Sequence, residues 1–245
     1  MMLFYKAWRE SRTRFLVGAL AMAVYCAFIT LFRPAEEPSL AARLLANSYS
    51  AYIDNQIFSG SSTLFFDLLV IFLGLGGLLR ERRHHTAAFT LALPASRAQL
   101  VGAQIGVGLT ELAFLALLPT LLIPPLSALA HQSYPIAEAL RFTLLRFICG
   151  TEIFAISFLL SVVLRGVYTA PLACCVVVFF QTRVNNWGPL SPYVLNPLAT
   201  MNGRWSNESR LSADAPLPWL GLSILAVTAL TLFAAATRIT EKQSL

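Results

Sequence analysis

The sequence predicts an all-α integral membrane protein with six transmembrane helices, and three observations carry that prediction. Hydrophobic residues make up 57% of the 245 and charged residues 12%, about half the charged share of an ordinary soluble domain. The mean hydropathy is +0.67. The few charges are confined to short stretches between long apolar runs, so lipid is the main solvent of this chain.

A helix needs about 20 mostly apolar residues to cross the hydrocarbon core. On that criterion the spans fall at 15–32, 62–79, 100–123, 140–164, 167–186 and 217–236. The fifth is the weakest, being short, carrying Pro171 near its start and reaching full length only through Gln181–Asn186. The first span follows Lys6, Arg9, Arg12 and Arg14, and Ala21-Met22-Ala23 resembles a signal-peptide cleavage site. The apolar run continues past Ala23 to Phe32, however, too far for a cleaved segment, so it is expected to remain as a membrane helix.

Orientation follows from lysine and arginine. The stretches 1–14, 80–99, Arg165 and the C-terminal tail hold eleven, whereas 33–60, 124–139 and 181–216 hold five. The first group is therefore expected in the cytoplasm, with both termini. The net charge of +6 tracks the ends of apolar segments and reflects topology and anionic headgroups rather than nucleic acid.

Within residues 1–14, Phe4 and Trp8 lie one turn apart while Lys6, Arg9, Glu10 and Arg12 occupy other faces. That pattern suits an amphipathic interfacial helix in the headgroup layer, the alternative being a basic tail that serves as a topology signal. Cys26, Cys149, Cys174 and Cys175 all sit in apolar runs, with neither a CxxC pair nor zinc-ligand spacing, and read as packing residues. Pro124-Pro125 is expected to end the third span.

The loop 80–99 is basic, yet it contains the apolar patch Ala88, Phe89, Leu91, Ala92 and Leu93. Pro94 stops a helix before it, and Ser96 with Gln99 fits a capping box for the third span. A short helix showing Phe89 and Leu93 to the cytosol is either a docking knob for a soluble partner or an interfacial segment resting on lipid.

The stretch Leu78–Gln104, LLRERRHHTAAFTLALPASRAQLVGAQ, resembles the signature region of ABC-2 type permeases, the transmembrane subunits of type V ABC transporters. The matching positions are Glu81, Thr86, Leu91, Leu93, Pro94, Ser96 and Arg97, and the departure is His84-His85, where that family more often has a basic residue followed by glycine. The basic N-terminus is similar to the family's interfacial helix, and the segment 187–216, above all Asn186–Pro197, to its extracellular re-entrant hairpin. With six spans and internal termini the resemblance covers the whole chain as one transmembrane domain.

The resemblance implies that 80–99 holds a coupling helix, with Glu81, Thr86, Phe89, Leu93, Pro94 and Arg97 engaging a separate ATP-binding subunit. It further implies a second permease copy or paralogue, export, and a bacterial inner membrane. No G-x-x-x-x-G-K-[ST] loop occurs here, so ATP and Mg are expected on the partner and no cofactor or catalysis in this chain. The alternatives are a secondary transporter, which would show repeated halves, or a small intramembrane enzyme, which would show a serine or histidine motif; neither pattern is present.

Asp67, Glu111, Arg146 and Glu152 fall inside predicted spans, where an uncompensated charge costs at least about 2.5 kcal/mol. Counted from Arg80, Arg97 and Arg165, the three acids lie roughly 20 Å from the cytoplasmic ends of their helices at 1.5 Å per residue. They form either an internal polar cluster with Arg146 or the lining of a pathway for cations or protons, with Asp67 and Glu152 the best substrate contacts in the second case.

Overall fold

The computed structural model of the chain describes residues 2–32, 49–58, 61–75, 96–164, 169–185, 197–201, 217 and 219–242. Every regular element among these is helical. They are α1 (Met2–Leu31), α2 (Tyr49–Ile53), a π-helical turn (Asp54–Phe58), α3 (Ser61–Gly74), α4 (Arg97–Leu129), α5 (Ile136–Val163), α6 (Thr169–Asn185), α7 (Pro197–Met201) and α8 (Trp219–Lys242).

Five helices are long and apolar enough to cross a membrane, over Leu3–Leu31, Gln56–Gly74, Ala98–Leu129, Ile136–Val163 and Trp219–Lys242. They match the first, second, third, fourth and sixth spans expected from the sequence. The fifth, α6, has 17 residues and is apolar over Thr169–Phe180, short of that length. Of the expected re-entrant segment 187–216, the five-residue helix α7 is described, packed on α5; the rest lies outside the described residues.

Two helices run further than the sequence pattern implied. α1 continues without a break from Met2 to Leu31, so the boundary expected at Arg14 between an interfacial helix and a first span is not a break in secondary structure. Neither proline nor glycine occurs before Gly18 to interrupt it, and the arginines are good helix formers. The third span was expected to end at Pro124-Pro125; instead α4 carries Pro119, Pro124 and Pro125 inside a helix of 33 residues. Each proline frees one carbonyl a turn earlier, but leaving the helix at membrane depth would strand more backbone groups than it would free. Neighbours also hold this stretch: Thr120 Oγ1 donates to the Ala139 carbonyl (3.0 Å), and Tyr49 Oη pairs with Ser127 Oγ (2.8 Å).

The start of α4 is as the sequence requires. The Gln99 backbone N–H donates to Ser96 Oγ (3.3 Å), and the Ser96 N–H donates back to Gln99 Oε1 (3.1 Å), a complete capping box. At the other end, His131 takes a left-handed backbone (φ 55°) in the turn to α5.

α5 is the axis of the bundle, with α3, α4, α6, α7 and α8 packed around it. Its packing is aromatic: Phe142 stacks on Phe58 of the π turn (4.5 Å), and Phe154 and Phe158 meet Phe233 of α8. α1 packs along α4 and shows Leu16, Val17, Leu20, Val24 and Phe28 on its open face, as a lipid-facing helix does.

Candidate functional site

Close contacts fix how the helices are staggered. Between α3 and α5, Arg146 Nη2 donates to Ser62 Oγ (3.0 Å), and Ser157 Oγ donates to the Ile71 carbonyl (2.9 Å). Between α4 and α5, Thr120 faces Ala139, Leu112 faces Gly150 and Gly108 faces the Phe154 ring. Between α1 and α4, Phe4 lies against Gly106, Ser11 donates to Glu111 Oε1, and Phe15 meets Phe114 edge-on at 5.6 Å. Interpolating along each pair sets Asp67, Glu111 and Glu152 at one level of the bundle, with Ser11 of α1 beside them.

That stagger changes their depth. Arg9, Arg12 and Arg14 of α1 are exposed and flank Ser11, so the acidic layer lies level with the basic belt of α1. Counting from Arg97 overstated the depth of Glu111, because α4 extends several residues past the start of α1.

Arg146, Asp67, Glu111 and Glu152 are exposed by 0, 4, 1 and 6%, so all four charges lie inside the bundle of one chain. Arg146 is the most completely built in. Its Nη2 donates to the Ile57 carbonyl, a group the π-helical turn presents toward α5, as well as to Ser62 Oγ. Its guanidinium carbon sits 5.0 Å from the Phe58 ring centre and 5.4 Å from that of Phe66, a cation–π sandwich. Among the described residues it makes no hydrogen bond to a carboxylate, and Nε and Nη1 have no partner. Asp67 is near enough to feel its charge, yet neither Asp67 oxygen has a hydrogen-bond partner. The expected Arg146–carboxylate contact is thus electrostatic rather than a hydrogen-bonded pair.

The outer edge of this cluster is closed by residues that the sequence did not single out. Tyr134 Oη donates to Asp54 Oδ1 (2.5 Å), and its ring stacks near Phe58 at 6.3 Å. Burial, reinforced by the adjacent Asp54 charge, pushes the Tyr134 phenol far above its ordinary value.

At the inner level a cavity of about 30 Å³ lies between α1, α3, α4 and α5. Glu10, Ser11, Gln104 and Glu111 supply its polar lining, and Gly74, Gly108 and Phe154 part of the rest. Glycine is needed at two of these places. A β-carbon on Gly74 would stand 2.6 Å from Ser157 Oγ, and one on Gly108 would run into the Phe154 ring. Gln104, Gly108 and Glu111 share one helix face at intervals of four and three, a pattern visible in the sequence but lost in the apolar run.

Of the coupling positions, Arg97 opens α4 directly after the Ser96 cap. Glu81, Thr86, Phe89, Leu93 and Pro94 lie outside the described residues. Comparison with protein-family models gives no match, and comparison with curated proteins gives none either.

Proposed function

We propose that the chain is the transmembrane permease subunit of an ABC transporter of the ABC-2 type, working as an exporter in a bacterial inner membrane. ATP hydrolysis, with its Mg, belongs to a separate subunit docked at 80–99, and a second permease copy or paralogue completes the pathway. The observation that carries this reading is the segment Leu78–Gln104, where a basic stretch, a leucine-rich turn and Leu93-Pro94-Ala95-Ser96-Arg97 run into a membrane helix. The capping box at Ser96 supports it, because a rigid start to α4 lets force applied at the loop travel along a 33-residue helix. Five helices of spanning length support the membrane half of the reading.

Phe89 and Leu93 supply the apolar surface that a soluble partner would cover, and Glu81 and Arg97 the charged rim. Thr86 and Pro94 bound the short helix between them. Burial of Asp67, Glu111, Arg146 and Glu152 inside one chain supports their role as an internal polar cluster rather than a pathway lining. Transport that persists in Asp67→Asn and Glu152→Gln agrees with that role; transport lost while the folded protein is retained assigns them to the pathway.

The docking claim is tested by purifying the tagged full chain from its native membranes. A P-loop ATPase is expected to accompany the wild type and to be lost from Phe89→Asp and Leu93→Asp variants that still insert. An active protein with no ATPase partner would point instead to a secondary transporter or an intramembrane enzyme.

A further inference from the structure

The cavity beside Glu111 lies outside the ATPase-driven reading above and does not depend on it. Glu111 is 1% exposed, and its Oε1 accepts a hydrogen bond from Ser11 while Oε2 has no partner. Gln104, which lines the same cavity, also carries a buried carbonyl oxygen, Oε1, with no partner. Two orphaned acceptor oxygens therefore border one cavity of about 30 Å³, and a single water needs roughly 10–15 Å³ on that measure.

Buried acceptors without donors are costly, and an uncompensated buried carboxylate costs more. A proton on Glu111 would remove its charge but supply one donor, to one oxygen. A water could donate to both oxygens but would leave the charge in place. A small cation satisfies both demands, since it neutralises Glu111 and is coordinated by Oε2, by Gln104 Oε1 and by the free lone pairs of Ser11 Oγ. Carboxylate, amide and hydroxyl oxygens are hard ligands that suit hard cations.

Charge fixes the valence. The other acid at the cavity, Glu10, is paired on its own helix with Lys6 (3.9 Å). Glu111 has the Ser11 hydroxyl as its hydrogen-bond partner and no cationic one, leaving about one negative charge to neutralise. Among the described residues no three His, Cys, Asp or Glu side chains gather as they would around zinc or calcium. We infer that the cavity between α1 and α4 is a binding site for one monovalent alkali cation, held by Glu111, Gln104 and Ser11. Such an ion would clamp α1 to α4 at the level where the basic belt of α1 meets the acidic layer.

The test is equilibrium binding of radiolabelled sodium to the purified full chain in detergent, at constant ionic strength set with choline chloride, with potassium as competitor. Saturable binding near one ion per chain is expected in the wild type and in Asp67→Asn, and none in Glu111→Gln. Should Glu111→Gln fail to fold, Gln104→Leu decides, since that residue is half-buried and its change leaves the carboxylate in place. It should weaken binding about tenfold by removing one ligand. Wild-type protein without saturable binding, or binding unchanged in the folded Glu111→Gln or Gln104→Leu variant, would overturn the site.

Discussion

Arg146 and Glu111 are both charged, both under one-tenth exposed, and both sit on helices of the same bundle, yet the chain accommodates them in opposite ways. Arg146 is packed on every side: a π-helical turn aims the Ile57 carbonyl at it, Ser62 accepts a second bond, and Phe58 and Phe66 cover its faces. Glu111 has one hydroxyl and a void. The difference teaches which buried charge is architecture and which is a vacancy for something else. A structural charge is surrounded by groups that cannot leave, whereas Glu111 keeps an oxygen facing no donor.

The comparison is broken or sharpened by removing each charge in turn. Arg146→Met should have the largest effect, about 3–5 kcal/mol, because it strands the Ile57 carbonyl and leaves Asp67 without the nearest positive charge. Reversible unfolding in mixed micelles reads it. Glu111→Gln in sodium-free buffer should change stability by less than about 1 kcal/mol, since the amide oxygen still accepts from Ser11 and no cation partner is lost. Equal costs for the two variants would collapse the distinction.

Gly74→Ala comes next. Its added methyl meets Ser157 and the Phe154 carbonyl (3.1 Å), so overpacking should cost about 2 kcal/mol, seen as a lower Tm. Gly102→Ala, where nothing lies within 4 Å, should instead be neutral or slightly stabilising.

Tyr134→Phe tests the outer edge of the Arg146 cluster and should cost about 1.5 kcal/mol, the worth of a hydrogen bond to a charged acceptor. It also changes the pH profile. The folded-state pKa of Tyr134 is raised, so the folded protein holds that proton more tightly than the unfolded chain. Its contribution is intact below the ordinary tyrosine pKa of about 10 and declines as pH climbs above it. Between pH 9 and 11 (roughly the onset of tyrosine ionisation) the wild type should therefore lose more stability than Tyr134→Phe does. Ser96→Ala should give the smallest loss, about 1 kcal/mol, confined to the first turn of α4 and visible as faster amide exchange there.

Much of the bundle was legible in advance because lipid imposes a simple rule on composition. The five spanning helices follow from apolar length alone, and the Ser96–Gln99 cap from residue type and spacing. The helix ends were not legible where tertiary context overrides local signals. Pro124 and Pro125 read as a stop, yet the bundle and the absence of water keep α4 helical past them. Asp67, Glu111, Arg146 and Glu152 stood out because charge is rare in an apolar run. Their partners did not: Ile57 contributes through a backbone carbonyl, and Ser11 and Gln104 are unremarkable letters until helix stagger brings them to Glu111. Stagger between helices is set by side-chain packing, which a periodicity in one segment does not encode.

The claim on which the functional account rests is that 80–99 docks an ATPase, and crosslinking in intact membranes tests it most directly. A photoreactive amino acid is placed at Phe89 and, as a control, at Leu20 on the open face of α1. Illumination should join position 89 to a P-loop ATPase identified by mass spectrometry, and position 20 to lipid. Lipid adducts alone at position 89, or the same protein adduct at both positions, would contradict the account.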